Sequence, residues 1–233
     1  MFICKFWLLG RGVLLHWKST SMPQKPTPRV RFFPKIQIIS LVLALLLPLG
    51  LAVSTFQTTN LTIKYHDPRD QKQLEVVVST WKDAQTKLRT IGLEPQAVTL
   101  EAYASAGGFS KATGEPWFVA AVTQGKRIQT QRLGALKARG ILRFTILHEA
   151  FHTVQPSKLP RWLAEGLARI FSGENSNDPT VTKLEQISEK QLNAALEGRN
   201  TQVTLERAYW EASRRTEKLL ATRGWKSVLA AYR

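Results

Sequence analysis

The segment His148-Glu149-Ala150-Phe151-His152 limits what this chain can fold into more than any other stretch. Residues four apart in a helix lie almost one above the other, so a helix here projects both imidazoles from one face. That spacing lets their ring nitrogens reach a single divalent cation, and the H-E-x-x-H order suits zinc. Glu149 emerges beside the histidines, where its carboxylate can take a proton from a water at the metal. The chain has four histidines, and this short segment holds two of them. Ile141, Leu142, Ile146, Leu147 and Phe151 give a helix over residues 141–154 its apolar positions.

Pro156 ends that helix, and Leu159-Pro160 opens a second apolar pattern that Gly173 stops past Phe171. Trp162-Leu163-Ala164-Glu165-Gly166-Leu167-Ala168 places one carboxylate among apolar and small residues. Burying a carboxylate is costly unless it is paired or bound to a metal. Catalytic zinc takes three protein ligands and leaves its fourth position to water, so Glu165 supplies what the two histidines lack. The bland reading of Glu165 is a partly solvated helix residue paired with Arg161 or Arg169. Ala164, Gly166 and Ala168 are small enough to let this helix pack closely against the first.

With these motifs the chain resembles the gluzincin superfamily of zinc metallopeptidases, and more narrowly the bacterial peptidase-MA-like domains with their "lPxWlxEGlA" second helix. The resemblance covers about 20 residues closely and the rest of the segment loosely. It implies zinc ligation by His148, His152 and Glu165, and a general-base role for Glu149. Better-known gluzincins often carry an acidic residue four positions after the third ligand to orient a histidine. Arg169 stands there instead, so the partner of that histidine is unassigned.

A net charge of +16 looks at first like a nucleic-acid signal. Its distribution argues otherwise. No acidic residue precedes Asp67, while Lys5, Arg11, Lys18, Lys25, Arg29, Arg31 and Lys35 concentrate seven positive charges near the start. The remainder stays basic but has no lysine/arginine block interleaved with aromatics, so nucleic acid is not an expected partner. Its surface suits anionic membranes, cell-wall polymers or acidic partners.

The early cations flank an apolar run over residues 36–53 that contains no charge. Its length is near the minimum for crossing a bilayer and exceeds a usual signal-peptide core. Basic residues before it and none directly after place the amino terminus inside and the following domain outside. Ala52 and Ser54 offer small residues for cleavage after Ser54, so a secretory signal and an uncleaved anchor both fit. Three regions follow: a basic cytoplasmic segment 1–35, a signal or anchor 36–55, and a metallopeptidase-like domain 56–233. Met22 begins a stretch that reads as a signal peptide by itself, which makes residues 1–21 a candidate mis-called start. The only cysteine, Cys4, precedes the apolar run, so the exported part depends on packing and zinc for its stability.

The domain reads as α+β: a small mixed sheet packed on the zinc-binding helix, then a mostly helical C-terminal part. Residues 61–65 and 97–103 read as strands, and Pro68 opens a helix through Leu74, Val77, Val78, Trp81, Ala84 and Leu88 that Gly92 ends. Gly107-Gly108 reads as a loop with a short helical turn; no phosphate-loop lysine follows it. Residues 117–123 and 127–131 form an expected hairpin about Gln124-Gly125. The gluzincin resemblance implies that one of these strands lines the cleft and pairs with an extended substrate; a buried core hairpin is the competing reading. Helical patterns follow over residues 183–198, 205–222 and 225–232, a tail closing the other side of the cleft.

In that tail, Ala208-Tyr209-Trp210-Glu211 is similar to a helix found after the third ligand in several gluzincins. The resemblance makes Tyr209 the candidate donor to the reaction's oxyanion, with Arg214 or Arg215 as substitutes. A tyrosine that packs the tail onto the core is the alternative. His66 follows a strand and reads as a surface residue.

The expected activity is peptide-bond hydrolysis by a zinc-activated water with Glu149 as base, acting on protein, peptide or cell-wall peptide. Its location is the cell membrane with the domain outside, or the secreted or periplasmic space after cleavage. A non-catalytic, membrane-tethered binding protein on the same scaffold is the main rival. A membrane-surface protein acting through its basic residues is a third reading.

Overall fold

The computed structural model describes residues 2–4, 53–174, 187–197 and 201–233. The protein is α+β, with a mixed sheet whose strands are, in chain order, β1 (Phe2–Cys4), β2 (Ser54–Gln57), β3 (Leu61–Tyr65), β4 (Val98–Ala102), β5 (Ala121–Gln124) and β6 (Arg127–Thr130). Their spatial order is β1-β5-β6-β4-β3-β2. The pairs β3–β4 and β4–β6 are parallel, and the other three are antiparallel. Parallel neighbours need crossovers. Helix α1 (Leu74–Thr90) provides the one between β3 and β4, and α2 (Ala106–Thr113) lies in the one between β4 and β6.

Alternation along β4 decides which side carries the main core. Val98, Leu100 and Ala102 are buried with Leu61, Ile63 and Ile128, as the two-residue period of a strand requires. On α1 the buried residues Leu74, Val77, Trp81, Ala84 and Leu88 recur at three and four, which puts them on one stripe facing that layer. The opposite face carries a smaller cluster, Phe109 of α2 with Val119 and Val122.

Helix α4 (Leu142–His152) carries the H-E-x-x-H segment and is deeply enclosed, with every residue from Thr145 to His152 buried. It packs against α1, against β5 and against α5 (Arg161–Ser172). The C-terminal part is helical: α6 (Glu189–Glu197) and α7 (Gln202–Ala230) both pack on α5. A break at Gly224 (φ 70°, ψ 163°) divides α7, which matches the two patterns expected over 205–222 and 225–232. Asn193 of α6 accepts a hydrogen bond from the Trp162 amide at 2.8 Å, satisfying a donor at the buried start of α5.

Several local expectations need correction. The Gly107-Gly108 segment is a full eight-residue helix, capped by the Ser105 hydroxyl accepting from the Gly108 amide at 3.0 Å. Residues 117–120 precede the hairpin rather than forming its first strand. Helix α3 (Leu133–Ala138) was not foreseen. Its cap comes from far away in sequence, since buried Asp70 accepts from the amides of Leu133 and Gly134 at 2.9 and 2.8 Å. Gly166 makes its tightest approach to α7. A Cβ there would fall 2.1 Å from Thr216 Oγ1 and 2.6 Å from the Ala212 carbonyl oxygen.

β2 begins at Ser54, so the sheet takes in the last two residues of the region 36–55. No helix among the described residues is long and apolar enough to cross a membrane, and residues 36–52 of the apolar run lie outside them. Helix α6 takes up residues 189–197 of the pattern expected over 183–198, of which 183–186 and 198 lie outside the described residues.

Candidate metal centre

The two histidines of α4 and Glu165 of α5 meet where those helices pack. His148 Nε2 lies 3.3 Å from Glu165 Oε2, and His152 Nε2 lies 3.6 Å from the same oxygen. Zinc bonds of about 2.0–2.1 Å in tetrahedral geometry separate neighbouring ligand atoms by roughly 3.3–3.4 Å. The two histidine-to-glutamate separations are close to that spacing, the three ligand atoms lie within 4.8 Å of one another, and all three residues are buried. This group could hold a metal ion.

Each histidine is turned by its other nitrogen. His148 Nδ1 donates to Glu174 Oε1 at 2.8 Å, and His152 Nδ1 donates to Gln155 Oε1 at 2.7 Å. Both bonds leave the Nε2 side for the cation, as partners beyond the ligands usually do in metal sites. Glu165 is held likewise: Arg161, one helical turn earlier, places Nη2 2.8 Å from Oε1 and leaves Oε2 facing the imidazoles. Pairing with Arg161 and facing the histidines, treated above as rival readings of Glu165, hold together here.

Charge shapes the site as strongly as geometry. Burial opposes ionisation of Glu165, but Arg161 and His152 outweigh it and hold the carboxyl well below the usual range. Burial also works against a charged His148, yet the Glu174 charge and the Glu165 hydrogen bond raise it to about 10. Glu174 is lowered despite burial, by His148 and by Arg169.

Neither a protein-family model nor a curated protein matches this chain. What the site can do follows from its own atoms.

Glu149 is fully buried on α4 next to His148, and its Oε2 accepts a hydrogen bond from the Thr123 hydroxyl of β5 at 2.6 Å. β5 is therefore the strand beside the site. Its outer edge pairs antiparallel with the backbone of Phe2–Cys4, and that added strand also runs against α4.

Tyr209 is buried on α7 with the Arg169 guanidinium 5.4 Å from its ring centre, and it is close enough to act on the charge of Arg161. Such packing is the structural role weighed for it above. Arg214 and Arg215 are both tied to Glu211, at 2.7 and 2.6 Å, and Arg215 also donates to the Ile187 carbonyl. His66 binds Glu101 at 2.9 Å and stacks on Tyr103, on the sheet and outside the metal group.

Four residues of the site were absent from the sequence reading in these roles. Gln155 lies three positions after His152, a local signal that a helix-end partner search could have caught. Arg161 had been considered only as a competitor for Glu165. Glu174 and Thr123 carry no local signal, because both reach the site through the tertiary fold.

Proposed function

We propose that this chain is an exported or membrane-anchored zinc-dependent peptidase, of the gluzincin type that its motifs resemble. The observation that carries the reading is the convergence of His148 Nε2, His152 Nε2 and Glu165 Oε2 at metal-shell spacing, with Glu149 beside them. Zinc bound there would polarise a scissile carbonyl and acidify a water.

The chain's own residues supply the rest of the chemistry. Glu149 takes the proton of the attacking water and passes it to the leaving nitrogen, so that proton ends on the new amine. Arg161 keeps Glu165 turned to the metal, and Glu174 and Gln155 keep the imidazoles aimed. The outer edge of β5 accepts an extended antiparallel strand, as its pairing with Phe2–Cys4 illustrates. Where residues 2–4 leave that edge, it is free to receive substrate backbone. Tyr209 is the proposed donor to the oxyanion.

Two imidazoles and a carboxylate also suit iron(II). A glutamate set next to the first histidine favours hydrolysis, since iron coordination makes no use of it. The rival binding scaffold likewise gives Glu149 no task.

The test uses the full chain purified in detergent, loaded with zinc and offered a peptide library with and without chelator. Cleavage should depend on the metal. Glu149→Gln should retain zinc and lose about 10²–10⁴-fold in kcat, while Tyr209→Phe should lose less. Wild-type turnover by Glu149→Gln would refute the mechanism. Zinc uptake by the wild type with no cleavage of any peptide would favour the binding scaffold.

A further inference from the structure

Thr123 is 1% exposed, and its hydroxyl lies 2.6 Å from Glu149 Oε2. Side chains alternate faces along a strand. Val122 fills the small cluster with Phe109 and Val119, so Thr123 turns to the other face of β5, toward α4. Apolar side chains dominate that face, and a buried hydroxyl is costly there unless it is bonded. The other nearby acceptor, the Glu149 carbonyl oxygen, is 3.4 Å away and already receives the Thr153 amide at 3.2 Å. The short contact therefore goes to the carboxylate, and an ionised carboxylate only accepts, so Thr123 donates.

We infer that Thr123 is a positioning residue for Glu149: its hydroxyl fixes the rotation of the carboxylate and aims the base into the metal site. The inference rests on the peptidase reading above. A glutamate has three side-chain torsions, the last of them broad, so a helix alone does not set where its oxygens point. A threonine has few χ1 choices, and the backbone of Thr123 is fixed in the ladder with β6, opposite Ile128. The strand thus does for the base what Glu174 does for His148. Proton transfer needs donor and acceptor within hydrogen-bond reach, and small misplacements of a reacting group cost large factors in rate.

The test is a double-mutant cycle on the full, zinc-loaded chain with acetohydroxamate as the probe. A hydroxamate chelates the metal through two oxygens and shares a proton with a nearby carboxylate, so its affinity reports the aim of Glu149 without turnover. Thr123→Val keeps the shape and removes the hydroxyl; Thr123→Ser keeps the hydroxyl. With zinc content unchanged, Thr123→Val should weaken hydroxamate binding about tenfold, and Thr123→Ser should stay within about twofold of wild type. Thr123→Val should add nothing in a Glu149→Gln background. On any peptide the wild type cleaves, Thr123→Val should lower kcat about ten- to a hundredfold with KM unchanged. Equal hydroxamate affinity in Thr123→Val and wild type, or additive losses in the double variant, would overturn the role of Thr123 and leave the metal site standing. A wild-type chain that takes up no zinc, or binds zinc but no hydroxamate, fails at the peptidase reading and takes this inference with it.

Discussion

Glu174 Oε1 accepts from His148 Nδ1 at 2.8 Å, and it does so from the turn that ends the helix carrying Glu165. Gly173 makes that turn. Its φ of 79° is left-handed, a region that favours glycine, and it lets the Gly173 amide bond the Ile170 carbonyl and the Glu174 amide bond the Arg169 carbonyl. From there the Glu174 side chain reaches α4. Ser172 and Arg169 hold the same carboxylate, at 2.7 and 3.4 Å.

Glu174→Ala should weaken metal affinity about 10–100-fold while leaving all three ligands in place. Competition against a graded chelator series measures it. His148→Ala and Glu165→Ala should instead lose the ion on dialysis. Unchanged affinity in Glu174→Ala would show that His148 needs no carboxylate to orient it.

The pH dependence of stability should change sign with the metal. Without metal, His148 is raised from 6.5 to about 10. A raised folded-state value contributes stability that is complete below 6.5 and fades as pH climbs toward 10. Metal-free protein should therefore melt progressively lower across that window. Zinc reverses the trend, because Nε2 must release its proton before the ion can bind. Thermal melts across that window, with and without zinc, should give opposite slopes; parallel slopes would contradict the proton on His148.

Gly166→Ala should destabilise the fold by about 1–3 kcal/mol through overpacking. The added methyl meets Thr216 and, more stubbornly, the backbone oxygen of Ala212. Thr216→Ala should recover only part of the loss, because the carbonyl contact persists. Chemical denaturation of the single and double variants decides it, and a neutral Gly166→Ala would mean that α5 and α7 slide apart freely.

Residues 56–233 should face away from the cytoplasm. A reporter that matures only outside the cytoplasmic membrane, fused after Arg233, should be active. Activity confined to a cytoplasmic reporter would reverse the proposed topology.

The buried His148, His152 and Glu165 group was legible because helical spacing is written directly in sequence. His148 and His152 stand four apart, and Glu165 is a lone acid inside an apolar helix. The strands at 61–65 and 98–102 and helix α1 were legible for the same reason, through periods of two and of three-to-four. Helix α2 was misread because a glycine pair speaks against helix, while the Ser105 cap that starts it is a single side-chain bond. Helix α3 owes its start to Asp70, 63 residues earlier, and no local window contains that relation. Arg169, four positions after Glu165, supports Glu174 five residues further on, and Glu174 is the carboxylate that His148 meets.

One helix and its closing turn deliver Glu165, the arginine that grips it, and the carboxylate that steers His148. Sliding α5 by a single residue, about 1.5 Å along its axis, would displace all three at once. Such a centre does not loosen by degrees. An ion held by this group would dwell for as long as α5 stays on α4, and its release should keep pace with amide exchange in α5 rather than with the strength of any one ligand bond.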